Sequence, residues 1–494
     1  MTIDRAPATL GSIQLLTFAR NSRVVFRLFV AFIILVTAVA IPLAPVAAWG
    51  LVAILLGVSC VGLPIHTWVA TAVLAAGLSR LFVASGLVPA SLNFVHFPLA
   101  LGAALLAATR RTPPRRLALS LGLGLAALLL VSLLSWICNG GEILRPLLTW
   151  LLFSEPFLLV FALVSAPPSP VAARRLWTLA LVLALSQVPL AVSQSLMFSV
   201  GDLVRGTFTG EIGGAHTAGS VALIGALMCM ARWMDRPPGS RPGTGWHLAA
   251  AGLFLVPVLA DAKQAIMAFI PALVPLSSLF SWRRPARVLA PLLLPLVLLV
   301  AGVGLNPQMR QTTDWNLAWR GLGGKLHALR VVVPRMLDTP SGLLLGLGPG
   351  NTVSRVALLS RGGHVREDSP VYFLELRLSP VTEELLPRKQ TEWLWRKSSP
   401  WSPISSWIGL FGDLGLIGFG IYLWMAWRLW RGLPQRHAWG VQVAKGCMVM
   451  AGLLGLVYSW LEEPGFTLLV ATVIGLALST RRESAIDFNH LDTT

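Results

Sequence analysis

Residues 110–137 read RRTPPRRLALSLGLGLAALLLVSLLSWI. Four arginines and two prolines come first, and residues 117–137 then carry no charge at all. As a helix, such a run is long enough to cross the roughly 30 Å hydrocarbon core of a bilayer. The basic stretch before it has the composition of a short loop on the cytoplasmic side. One run with one flank therefore predicts both a spanning helix and its direction.

The same pattern repeats along the chain. Spans are expected at 24–43, 48–64, 67–87, 94–109, 117–137, 147–165, 175–198, 216–233, 246–261, 263–281, 286–305, 406–428, 441–460 and 464–480. The 67–87 run contains Arg80, and only Asp261 to Lys263 separate two neighbouring runs. Of all residues, 55% are hydrophobic and 12% charged. That is about half the charge of an average soluble domain, and a soluble fold could not hide so much apolar surface. No series of short alternating segments suggests a β-barrel. In hydrocarbon the backbone must satisfy itself, so the expected fold is an all-α, polytopic transmembrane bundle of about fourteen spans.

Charge sets the expected topology. With Arg5, Arg20 and Arg23 inside, the later inner connections hold Arg110, Arg111, Arg115 and Arg116, then Arg174 and Arg175. Arg232, Arg236 and Arg241 follow, then Arg283, Arg284 and Arg287, then Arg428, Arg431 and Arg436, and last Arg481 and Arg482. The short outer connections hold Arg145, Arg205 and Lys263. Both termini are thus expected in the cytoplasm. This distribution also accounts for the net charge of +18, and no nucleic-acid signature accompanies it. The organisation is a tail at 1–23, helices over 24–305, one large outer loop at 306–405, helices over 406–480 and a tail at 481–494. The first apolar block is long enough to span and ends in IPLAP, unlike a cleavable signal. Cys60, Cys138, Cys229 and Cys447 form no CxxC pair, which argues against a cysteine zinc site.

The 306–405 loop is too long to be structureless in a compact protein, so a folded loop subdomain is expected. Gly324 to Val333 predicts an amphipathic helix with Leu326, Leu329 and Val333 on one side, ended by Pro334. Val371 to Leu378 alternates as a short strand would. No P-loop and no HExxH is present.

Polar residues converge on the outer connections. GDLVRGTFTGEIGGAH carries Arg205 and His216, and ADAKQA carries Asp261 and Lys263, an ion pair that would close its hairpin. Glu462 and Glu463 in LEEP close the last outer hairpin, where solvated side chains are the ordinary expectation. The large loop holds Lys325, Arg330, Arg335, Arg355, Arg361, His364, Arg366, Glu367 and Asp368. Its GLGPGN turn, with Gly346, Gly348, Gly350 and Asn351, can present successive N–H groups as an anion-binding nest. Arginine and lysine around such a turn suit a diphosphate.

Four stretches then occur in order: RGTFTG with AGSVALIGALM, ADAKQAIMAFIPAL, KLHALRVVVPRMLDTPSGLLLGLGPGN and SSWIGLFGDLGLIGFGIYL. Together with the topology they resemble the bacterial O-antigen ligase and polysaccharide polymerase family. The last stretch contains acidic-x-G-h-h-G as Asp413, Gly415 and Gly418, and Arg335 with Gly346 fits an Arg-x10-Gly pattern. The resemblance covers roughly 117–480. The His-Asn pair usual in ligases is replaced by Ile404 and Ser405, and the arginine at the start of the loop helix by Lys325, which favours a polymerase.

The resemblance implies a metal-independent glycosyltransferase using a polyprenyl-diphosphate-linked glycan donor and a glycan or lipid acceptor, with no cofactor. Arg205, Lys263, Lys325, Arg330 and Arg335 would hold the diphosphate. His364, Asp368 and His216 are the candidates for the base that takes the acceptor proton. Trp393, Trp395 and Trp401 would stack on sugars or anchor at the interface. Membrane lipids, and polysaccharide export machinery, are the further partners. A lipid-linked glycan flippase or a non-catalytic export component are the rival readings.

Overall fold

The computed structural model describes residues 63–85, 90–109, 116–198, 200–209, 213–235, 244–279, 315–360, 379–385, 402–434 and 438–479, with isolated positions between 293 and 304. The chain divides into two units, 1–64 and 65–494. Almost all of the first lies outside the described residues, and everything below concerns the second.

Among the described residues the fold is helical, without strands. The apolar segments form α1 (Ile65–Ala84), α2 (His96–Ala108), α3 (Arg116–Asn139), α4 (Leu144–Ser165), α5 (Pro170–Phe198), α6 (Gly214–Met234), α7 (Thr244–Leu259) and α8 (Lys263–Ala272). A second group follows the loop: α13 (Ser406–Gly432), α14 (Trp439–Val457) and α15 (Pro464–Ser479). Between the groups lie α9 (Trp315–Leu337), α10 (Pro340–Leu345), α11 (Arg355–Ser360) and α12 (Pro380–Leu385).

Among the described residues, seven helices are long and apolar enough to cross a membrane: α1, α3, α4, α5, α6, α13 and α14. Shorter apolar helical segments cover Leu92–Ala108, Gly245–Leu259, Lys263–Leu279 and Pro464–Ser479. These features fit a membrane protein. Expected spans 24–43, 48–64 and 286–305 lie wholly or almost wholly outside the described residues.

The core is built around α6 and α15. Every residue of α15 is buried, as is nearly all of α6, so neither shows a polar face. α15 packs against α4, α14, α1, α5 and α6. Small residues permit such close approach: a Cβ at Gly225 would sit 2.5 Å from the Ala184 Cβ.

One loop expectation needs correction. The helix expected at 324–333 is longer and runs through Pro334 to Leu337. Its buried stripe is Ala328, Val332 and Met336, packed with Val353, Leu385, Ile404 and Ile408, while Leu326 is exposed. Pro334 removes one helical hydrogen bond, and burial of Met336 beyond it outweighs that loss. The loop core is thereby shared with the start of α13. The strand expected at 371–378 lies outside the described residues.

Candidate functional site

α1, α3, α5, α7 and α14 finish at the end of the bundle where α4, α6, α8, α13 and α15 begin. The contacts of the described polar residues singled out in the sequence fall into four sets.

The first joins the GLGPGN turn to α13. Gly415 has φ 65° and interrupts the helical geometry of α13. The break admits the turn, and Leu347 N–H donates to the Gly412 carbonyl at 2.7 Å. The Asp413 carboxylate, fully buried, accepts from Gly350 N–H at 2.8 Å, Thr352 N–H at 3.0 Å and Thr352 Oγ1 at 2.6 Å. Asn139 on α3 donates to the Gly346 carbonyl at 3.1 Å. Arg145 on α4 donates to Asn351 Oδ1 at 2.6 Å. The turn is indeed a nest, but the anion in it is the protein's own Asp413. Gly346, Gly348, Gly350 and Asn351 thus shape the loop by docking it on α3, α4 and α13.

The second set lies beside the first. Arg80 Nη2, near the end of α1, lies 2.7 Å from Glu463 Oε1. Arg355 Nη1 pairs with Glu463 Oε2. Two guanidinium groups flank one buried carboxylate and hold it down at about 2 against the opposing effect of burial. Glu462, its neighbour, accepts the Arg355 N–H at 2.6 Å. Burial pushes the Glu462 carboxyl up to about 8, and the Asp413 charge adds to this. Both glutamates are 5% exposed or less, contrary to the solvated hairpin expected for LEEP. Arg355 at the start of α11 contacts both, and Val356 beside it packs with Leu152 of α4. A related buried pair joins α2 to α4, with His96 Nδ1 2.6 Å from Glu155 Oε1.

The third set surrounds the α5–α6 connection. Gln194 Oε1 accepts from Arg205 N–H at 2.7 Å and Gly206 N–H at 2.8 Å, and Gln187 Oε1 accepts from Thr207 N–H at 3.0 Å. The RGT of RGTFTG is thus pinned by two glutamines of α5. Arg205 Nε donates to the Asp202 carbonyl at 3.0 Å. Lys263 Nζ lies 3.0 Å from Asp261 Oδ2, closing the α7–α8 hairpin. Asp261 has φ 52°, a left-handed conformation unusual outside glycine, and its Oδ1 is buried without a hydrogen-bond partner. His216 at the head of α6 is within electrostatic reach of Asp202 and Lys263, and its ring meets Trp460 edge-on at 6.5 Å.

The fourth set lies on α9. Lys325 Nζ donates to the Ser402 and Ile404 carbonyls, reaching the segment where the resembled ligases carry His-Asn. Burial brings its ammonium down to about 7. Arg335 pairs with Glu384 of α12, and Arg330 is exposed. Arg205, His216 and Lys263 are therefore brought together, and Lys325, Arg330 and Arg335 share one helix. His364, Asp368, Arg361, Arg366, Glu367 and the tryptophans 393, 395 and 401 lie outside the described residues. Among the described residues, no group of three or more His, Cys, Asp or Glu is placed to hold a metal ion.

The sequence undervalued Arg80, Glu462 and Glu463. Its one signal was cost: a charge inside an apolar run needs a partner, and Arg80 was the cation in such a run.

No protein-family model and no curated protein matches the chain.

Proposed function

We propose that the chain is a membrane glycosyltransferase that polymerises, or ligates, polyprenyl-diphosphate-linked glycan units on the extracytoplasmic face, in exopolysaccharide or O-antigen assembly. The observation that carries this reading is the joint between the GLGPGN turn and Asp413. Two of the motifs that carry the family resemblance are one structural unit, set beside a buried layer of arginine and glutamate.

On this reading the donor's diphosphate lies at the outer membrane boundary. Charge grows on it as the glycosidic bond breaks, and positive side chains stabilise that charge. Since Asp413 fills the turn, the task falls to side chains: Arg205 and Lys263 by the α5–α6 and α7–α8 connections, and Lys325, Arg330 and Arg335 on α9. The cations of the protein supply the neutralisation that a metal would otherwise give.

The test is reconstitution. Full-length protein in liposomes receives lipid-linked glycan extracted from cells deleted for it. The expected result is longer glycan chains and released polyprenyl diphosphate. Transbilayer movement without chain growth would replace this reading by the flippase, and neither outcome by the non-catalytic component. Arg335→Ala and Lys325→Ala are expected to lose chain growth at normal protein level; undiminished growth in both removes them from the diphosphate site.

A further inference from the structure

The 3-10 turn Trp460–Glu462 links α14 to α15. Around it, Ser459 Oγ, Trp460 Nε1 and Glu462 Oε1 are all buried without a hydrogen-bond partner. Their residues are 3% exposed or less. Buried polar atoms in native proteins are nearly always paired, so three orphans within four residues point to a partner from outside the chain. The orphans include both donors and an acceptor, the combination that sugar hydroxyls satisfy. The His216 ring faces Trp460, and its Nδ1 is likewise buried and unpartnered.

The two glutamates of the turn have different surroundings. Glu463 is fixed between Arg80 and Arg355. Glu462 has Oε2 held by the Arg355 N–H at 2.6 Å, and the Ser406 hydroxyl also hydrogen-bonds its carboxylate, while Oε1 is without a hydrogen-bond partner. Adjacent carboxyls with opposed environments are the usual way to assign one to charge and one to proton transfer.

We infer that the turn Ser459–Glu463 is the acceptor subsite, and that Glu462 is the catalytic base that takes the proton of the acceptor hydroxyl. This rests on the glycosyl-transfer reading above and names the base that reading requires. In the step, the acceptor oxygen bonds to the anomeric carbon of the donor. The bond from that carbon to the diphosphate oxygen breaks, and the electron pair leaves with the polyprenyl diphosphate. The acceptor proton passes to Glu462 Oε1 and from there to solvent or to the departed diphosphate.

The groups that face Glu462 are Arg355 of α11, Asp413, Ser406 and Tyr422 of α13, and Glu463 beside it with Arg80 of α1. Its carboxyl, pushed up to about 8, ionises close to neutral pH, where a base works best.

The experiment measures the pH dependence of chain growth in the liposome assay for wild type, Glu462→Gln and Glu462→Asp. Wild-type growth is expected to rise with pH, with its midpoint near 8, and to level off above that. Glu462→Gln is expected to lose about 100-fold or more and to lose the pH limb. Glu462→Asp retains part of the activity and keeps the limb, which a purely structural role would not produce. Wild-type growth with an unchanged Glu462→Gln rate overturns the assignment alone. An absence of wild-type growth overturns the glycosyl-transfer reading itself. Should Glu462→Gln fail to accumulate, the wild-type profile decides: a flat rate from about pH 6 to 9 overturns the assignment.

Discussion

Gly350 N–H donates to Asp413 Oδ2 at 2.8 Å, so a turn in the large loop is closed by a carboxylate of a membrane helix. Thr352 adds its N–H and its hydroxyl on the other oxygen. The aspartate of the acidic-x-G-h-h-G motif is therefore an internal anion that satisfies the G-x-G turn. Asp413→Ala would orphan three buried donors. At about 1–3 kcal/mol each, less whatever water recovers, the loss is several kcal/mol. The thermal midpoint of the detergent-purified variant should fall steeply, with loss of the loop's resistance to protease. An unchanged midpoint would show that the carboxylate is dispensable to the joint.

The same joint predicts the effect of a methyl group. Gly346 has φ 84°, and a Cβ there would lie 2.5 Å from the Asp413 carbonyl carbon and oxygen. Gly415 has φ 65°, and its Cβ would lie 2.4 Å from the Leu344 carbonyl oxygen. Backbone strain alone costs roughly 1–3 kcal/mol at such positions, and the contact with rigid main chain adds to it. Gly346→Ala and Gly415→Ala should each destabilise the protein. The double variant should lose less than the sum, because both break one interface. Additive losses would mean that the two glycines act separately.

The apolar runs were legible because their length and lack of charge decide the matter locally. So was the Asp261–Lys263 hairpin, whose partners are two residues apart. The partner of Arg80, Glu463, is distant in sequence, so no local pattern announces the pair. Pro334 predicts the end of α9 because the proline rule is local, whereas the stripe Ala328, Val332, Met336 packs against Ile404 and Ile408. The GLGPGN turn was legible as a nest, but composition does not say whether an anion comes from a ligand or from Asp413. Glu462 and Glu463 read as solvent-facing because their partners, Arg80 and Arg355, are more than a hundred residues away in sequence.

Glu462 and Glu463 predict opposite effects of pH on stability. Glu463 lies at about 2 in the folded protein, below its ordinary 4.5, so its stabilisation is complete above 4.5 and is lost as pH falls toward 2. Glu462 lies at about 8, above the same ordinary value, so the folded state loses stability as pH rises from 4.5 to 8. Thermal midpoints of the solubilised protein should therefore decline between about pH 5 and 8, and Glu462→Gln should flatten that decline. Glu463→Gln should destabilise at neutral pH, because it removes the negative charge held between Arg80 and Arg355. A decline that persists unchanged in Glu462→Gln would assign it to another group.

Lys325 offers a choice between two roles. Its Nζ donates to the Ser402 and Ile404 carbonyls, which ties α9 to the entry of α13. Near neutral pH the buried amine is partly uncharged, and an uncharged amine still donates to carbonyls but attracts a diphosphate poorly. Lys325→Met keeps the stem and removes the donor, leaving two carbonyls without it. Loss of about 1–2 kcal/mol from this tie would raise the open population of the loop roughly tenfold. Proteolysis of the loop should accelerate accordingly, with no lipid-linked donor present. If proteolysis is unchanged and only donor binding falls, Lys325 is a phosphate ligand, and the tie seen between α9 and α13 contributes little to holding the loop.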